Sequence, residues 1–125
     1  MSNIRIPNKK LEEYYAAQGS CCYYCKTKTP FNLITRDHVF PKSHGHGLQN
    51  NSVFACRKCN STHKGNKTPE EFRLYILKLI ANKLKKIVKH KFIATQSDVD
   101  VFRKYHKMLM SVSALINNNY RPVFV

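Results

Sequence analysis

The sequence is short of acidic residues and has no long apolar run, no internal repeat and no low-complexity tract. The missing run excludes a helical membrane span, which needs roughly 20 consecutive apolar residues. The N-terminus, MSNIRIPNKK, has no apolar segment of the secretory-signal kind, so a cytoplasmic, intracellular setting with no membrane partner is expected. Seven Asp and Glu face 22 Lys and Arg, leaving a formal charge of +15 and an isoelectric point near 9.9. Such a field exceeds what solubility requires and favours a polyanion, nucleic acid before an anionic membrane surface. At 125 residues with 42% hydrophobic side chains, the chain has material for one domain and a modest core that a bound metal would reinforce.

Disulfides are also disfavoured. Five cysteines cannot all pair, and in a reducing compartment paired cysteines are more often metal ligands. Cys22 and Cys25 form one Cys-x-x-Cys pair, and Cys56 and Cys59 form a second after a 30-residue excursion. Each turn presents two sulfurs to one ion, and two turns complete a tetrahedral, fully protein-ligated structural zinc site. Cys21 is left as a spare thiol.

Local signals outline an α+β chain. Residues 7–19 read as a short helix capped by Asn8 and stopped by Gly19, with Leu11, Tyr14, Tyr15 and Gln18 along one side. Residues 31–35 and 52–55 suit a two-stranded ribbon joined by a loop with Pro41, Gly45 and Gly47, and residues 57–64 suit one or two helical turns. Thr68-Pro69-Glu70-Glu71 is a strong helix start, with Thr68 as N-cap, Pro69 at the first helical position and Glu71 closing a capping box. Phe72, Ile76, Leu79, Ile80, Leu84 and Ile87 then recur at helical spacing. A further helix is expected from Ser97 to Asn117, continued by Val99, Phe102, His106, Leu109, Val112, Ser113 and Ile116 along one face. The two helices would pack as an antiparallel hairpin joined near residues 92–96.

Asp37-His38-Val39-Phe40-Pro41-Lys42-Ser43, then Asn51 through Cys56-Arg57-Lys58-Cys59-Asn60, then Lys64-Gly65-Asn66-Lys67-Thr68-Pro69 closely resembles the HNH endonucleases of the ββα-metal type. The resemblance covers about residues 18–72. It implies a zinc-braced ββα-metal core, with a short N-terminal helix and a C-terminal helical hairpin completing a single domain, 1–125. The nuclease core is expected over 18–72 and the helical extension over 68–117.

The resemblance also implies an activity and its residues: hydrolysis of DNA phosphodiester bonds to 5′-phosphate and 3′-hydroxyl ends. His38 is the implied general base, since an imidazole with its ordinary pKa of about 6.5 offers a neutral base near neutral pH. Asp37 is implied as a ligand of catalytic Mg²⁺ or Mn²⁺, a hard ion that prefers carboxylate oxygen, and Asn60 as a second ligand through its side-chain carbonyl. Asn51 is implied as the brace of the loop that bears the base. Lys64, with Lys67 and Arg57, would neutralise flanking phosphates. The sequence departs from many relatives in one respect: Lys64 follows Asn60 by four residues and not three. A helical i, i+3 relation puts His63 on the face of Asn60, which makes His63 a further candidate ligand.

Two alternatives use most of the same residues. A non-catalytic zinc-binding nucleic-acid module needs the cysteines and the charge but neither Asp37 nor His38. An RNA-directed or toxin nuclease would use the same site on another substrate. Blander roles are expected for His44 and His46 in a surface loop, His90 in solvent, His106 in the core, and Tyr23 and Tyr24 packed over the zinc turn. The lysines of 83–91 are expected to contact DNA backbone.

Overall fold

The computed structural model describes residues 8–40, 51–89 and 93–120. The loop expectation for Pro41, His44, Gly45, His46 and Gly47, and the solvated His90, lie outside these residues. The architecture is α+β: helix α1 (Asn8–Ala17), antiparallel strands β1 (Thr35–His38) and β2 (Ser52–Ala55), a π-helix (Lys58–Lys64), and long helices α2 (Pro69–Lys89) and α3 (Gln96–Asn117). No helix among the described residues is long and apolar enough to cross a membrane.

Gly19 stops α1. Its φ of +101° sits where a side chain would be strained, and Ser20 N–H to Tyr15 O (3.0 Å) with Gly19 N–H to Ala16 O (2.9 Å) closes a Schellman turn. The turn delivers the buried Gln18 to β2. Its Oε1 accepts from Phe54 N (3.0 Å) and its Nε2 donates to Phe54 O (2.7 Å) and Cys21 O (2.8 Å), so one side chain satisfies an edge backbone as a neighbouring strand would.

The first strand differs from expectation. Residues Phe31–Leu33 make a 3₁₀ turn after Pro30, and pairing begins only at Thr35. The register is Thr35 to Ala55, Arg36 to Phe54, Asp37 to Val53 and His38 to Ser52. Asp37 and His38 therefore sit on the ribbon itself, pointing to opposite faces. The second strand coincides with its expected span.

Both long helices start on reciprocal caps. Thr68 N donates to Glu71 Oε1 (2.9 Å) and Glu71 N to Thr68 Oγ1 (3.3 Å), as the sequence predicts. In α3 the cap is Thr95 and not Ser97, because Asp98 at the third helical position returns the bond: Asp98 N to Thr95 Oγ1 (3.2 Å) and Thr95 N to Asp98 Oδ2 (3.0 Å). Thr95→Ala is expected to destabilise the fold by about 1 kcal/mol, read as a lower urea midpoint at unchanged slope, while Thr95→Ser leaves it nearly unmoved.

The two helices run antiparallel. Lys83 Nζ meets Asp98 Oδ1 at 2.8 Å near one end, and the Tyr120 hydroxyl donates to Glu70 near the other. Lys83 is thus paired across to α3. The core joins Phe72 and Ile76 of α2 to Met108, Val112 and Leu115 of α3, with Val39, Val53, Ala55 and Tyr24 beneath them. The buried face of α3 is Met108, Ser111, Val112 and Leu115, rotated from the expected one, and His106 is exposed. Ser111 lies on that face, its hydroxyl shared between Lys107 O (2.8 Å) and Tyr24 O (3.0 Å), a polar contact that apolar periodicity does not register.

Candidate active site and metal centre

Two tight turns assemble the metal centre. Cys22 N donates to Thr27 O and Lys26 N to Cys22 O, both at 3.0 Å, and Lys26 takes a φ of +63° to close the first knuckle. Tyr23 N donates to Phe54 O (2.9 Å), tying this knuckle to β2. Cys56 and Cys59 follow directly from β2. The sulfurs of Cys22, Cys25, Cys56 and Cys59 all lie within 4.8 Å of one another, with Cys25 and Cys56 at 3.8 Å. Metal–sulfur bonds of about 2.3 Å in a tetrahedron give edges of about 3.8 Å, so the cluster can hold a metal ion such as zinc.

The protonation chemistry of Cys22, Cys25 and Cys59 agrees. Cys22 is pushed up to about 12, first through its hydrogen bond with Cys25, whereas Cys25 is held far below the ordinary thiol value by its hydrogen bond from Cys22. Cys59 is raised by its hydrogen bonds to Cys22 and Cys25. Four thiolates at this spacing would repel one another, and a bound cation would offset that repulsion. Cys21 stands outside the cluster.

Asp37 points inward from β1 and is 2% exposed. One of its oxygens, Oδ2, receives both protein donors: the Tyr24 hydroxyl at 2.6 Å and the Lys64 ammonium at 3.4 Å. Burial lifts its carboxyl to about 6, outweighing the opposing pull of the Lys64 charge, and burial likewise lowers Lys64. Asn60 stands beside the same strand, its Nδ2 donating to Thr35 Oγ1 (2.9 Å) and Arg36 O (3.3 Å). Each residue is thus oriented through one half of its side chain. Asp37 Oδ1 and Asn60 Oδ1, hard oxygens that suit Mg²⁺ or Mn²⁺, have no donor among the described residues.

His38 lies on the other face of β1, with Nε2 shielded from solvent. Beyond it, Asn51 clasps the backbone of Phe40 from both sides: Phe40 N donates to Asn51 Oδ1 (2.8 Å) and Asn51 Nδ2 to Phe40 O (2.9 Å). Val39 N donates to Asn51 O (2.9 Å) as well. The clasp fixes the backbone two residues beyond His38.

The residues after Asn60 depart from expectation. Residues Lys58–Lys64 form a π-helix, marked by Gly65 N donating to Asn60 O (2.8 Å). With roughly 4.4 residues per turn, positions four apart share a face and positions three apart diverge. The extra residue between Asn60 and the lysine is therefore absorbed in a wider turn. Lys64, not His63, joins Asn60 against β1. His63 faces the long helices instead, with Nδ1 at 2.9 Å from the Tyr75 hydroxyl and its pKa lowered by burial.

Two expected phosphate contacts are likewise redirected. Lys64 is 0% exposed, and its ammonium donates to His38 O (2.8 Å). Lys67 donates to His63 O (2.8 Å) and covers the Tyr75 ring. Arg57 remains exposed. Tyr24, expected only to pack over the zinc turn, also holds Asp37, and Arg36, whose period-two alternation with His38 is the available signal, has no role assigned from the sequence. Arg36 Nη2 donates to Ser52 Oγ (2.9 Å) on the face of His38.

Lys64→Met strands Asp37 in the core and is expected to cost about 3 kcal/mol of stability. Combining it with Asp37→Asn should recover much of that loss in urea unfolding. Additive losses would show that the two residues do not act as a pair.

A β-ribbon followed by a helix, clamped by four cysteines that can hold a metal ion, carries an adjacent Asp-His pair. Residues 22–76 match the HNH endonuclease family model. No curated protein matches the chain.

Proposed function

We propose that the protein is a metal-dependent endonuclease that hydrolyses DNA phosphodiester bonds, with His38 as general base, Asp37 and Asn60 as protein ligands of a divalent ion, and a structural zinc on the four cysteines. The observation that carries this reading is the docking of Asn60 on Thr35 and Arg36, which brings a second hard oxygen donor to the strand that bears Asp37 and His38. Bound there, Mg²⁺ or Mn²⁺ supplies electrophilic stabilisation of the phosphoryl and leaving oxygens.

The remaining work falls to the chain. His38 takes a proton from the attacking water, held in place by β-pairing on one side and the Asn51 clasp on the other. Tyr24 and Lys64 hold one carboxylate oxygen of Asp37 and keep its orientation. Arg36, on the face of His38, and exposed Arg57 offer charge to phosphates. The +15 charge favours the polyanion generally and supplies affinity with little sequence discrimination.

The test is incubation of the purified protein with supercoiled plasmid and Mg²⁺ or Mn²⁺, beside single-stranded RNA. Nicked or linear DNA with 5′-phosphate ends is expected. Inactivity across several divalent ions would favour a binding module, and preferential cleavage of RNA would overturn the DNA assignment.

A further inference from the structure

Helix α2 is apolar on two sides. Phe72 and Ile76 face the core, while Leu74, Leu77, Ala81, Leu84 and Val88 face solvent on the other side. The exposures of Leu74 (59%), Leu77 (45%), Leu84 (49%) and Val88 (74%) far exceed those of the core-facing pair. Their spacing is 3, 4, 3 and 4 residues, the a/d pattern of a coiled-coil seam over two heptads.

The charges beside the seam identify what covers it. Lys78 and Lys85 follow Leu77 and Leu84 directly, at the e positions that flank such a seam, and both are exposed with no acidic partner among the described residues. The same seam of a second copy cannot neutralise them. The acids of α2 are Glu70 and Glu71, both in the first turn and engaged with Tyr120 and Thr68. Each copy would also bring a further +15 to the contact. DNA complements the lysines but not the leucines. A lipid surface suits a broad apolar face with aromatic anchors, whereas this seam is narrow and contains no aromatic side chain.

We propose that the solvent face of α2 is a docking surface for a partner protein's amphipathic helix, one that presents leucine-type residues at a/d spacing and Asp or Glu beside them. Apolar contact along the seam supplies affinity, and acids opposite Lys78 and Lys85 supply register and partner choice. The exposed seam residues of α2 are not among the residues assigned to the nuclease site.

The probe is a synthetic two-heptad helix with Leu at a and d and Glu at e and g, compared at 0.15 M salt with a peptide of equal charge carrying Ser at a and d. Fluorescence anisotropy against the full, zinc-loaded chain should show the Leu peptide binding at least tenfold tighter. Leu77→Ser with Leu84→Ser should abolish that difference while leaving the net charge and the thermal midpoint unchanged, since both positions are exposed. Lys78→Glu with Lys85→Glu should shift preference to a Lys-flanked peptide. Equal binding of the two peptides, or none, would overturn the proposal. So would sedimentation of the wild type as a dimer that the leucine variant dissociates, or seam-dependent retention on vesicles of phosphatidylglycerol and phosphatidylcholine.

Discussion

Replacing His38 with alanine is expected to lower Mg²⁺-dependent plasmid cleavage by about 10²–10⁴-fold, the contribution of a positioned general base. The fold should survive. The imidazole sits at the end of a four-residue strand whose pairing uses backbone groups, and the contacts with Lys64 and Val39 in this region are made through the main-chain atoms of His38 and Asn51. The decisive measurement is cleavage rate beside thermal midpoint. A rate near wild type would remove His38 from the mechanism, and a collapse of the midpoint would make any rate loss uninterpretable as chemistry. Asn51→Ala offers a graded comparison, since it releases the clasp on Phe40 while leaving the base in the chain. Its rate should fall less than that of His38→Ala.

Removing the metal from the cysteine cluster, or breaking the cluster with Cys59→Ser, should abolish the cooperative fold and the activity together. Structural zinc contributes on the order of 10–16 kcal/mol of apparent binding free energy near neutral pH, comparable with the whole stability of a domain. Here the ligands are also core residues: Cys22, Cys25 and Cys59 are buried among Tyr24, Phe72, Val112 and Leu115. Asn60 follows Cys59 directly and β2 leads into Cys56, so loss of the ion frees Asn60 and the strand that pairs with β1. Thermal melts with and without chelator, alongside zinc stoichiometry, provide the check. One tightly held zinc per chain and a melt lost on its removal are expected, with Cys21→Ser behaving as wild type. A stable, active Cys59→Ser protein would contradict this division between frame and catalyst.

Legibility followed the range of the interactions. The capping box at Thr68 and Glu71 spans three residues, the Schellman turn at Gly19 spans five, and each Cys-x-x-Cys knuckle closes within a few more. All three were readable because their partners are neighbours in the chain. The start of β1 was misplaced because apolar and β-branched content from Phe31 onward resembles a strand, whereas Pro30 commits the chain to a 3₁₀ turn first. His106 was read as buried because it shares a helical period with Phe102 and Leu109. The face that actually turns inward includes Ser111, whose partner Tyr24 lies 87 residues away. Lys64 misled for a related reason: a lysine in a basic chain looks like a surface charge until Asp37, 27 residues earlier, is found beside it.

By itself, then, the sequence determined the doubled cysteine pairs, the order of Asp37, His38, Asn51 and Asn60, the helix starts, and the charge that calls for a polyanion. These depend on covalent order and on interactions a few bonds long. The tertiary structure alone decided how the residues after Asn60 turn. An α-helix would set His63 close to the face of Asn60, but Cys59 must reach the cluster while Lys64 reaches the buried Asp37 carboxylate, and the wider π turn satisfies both. A buried charge costs more unpaired than a turn of irregular helix does, and that comparison exists only once distant segments meet.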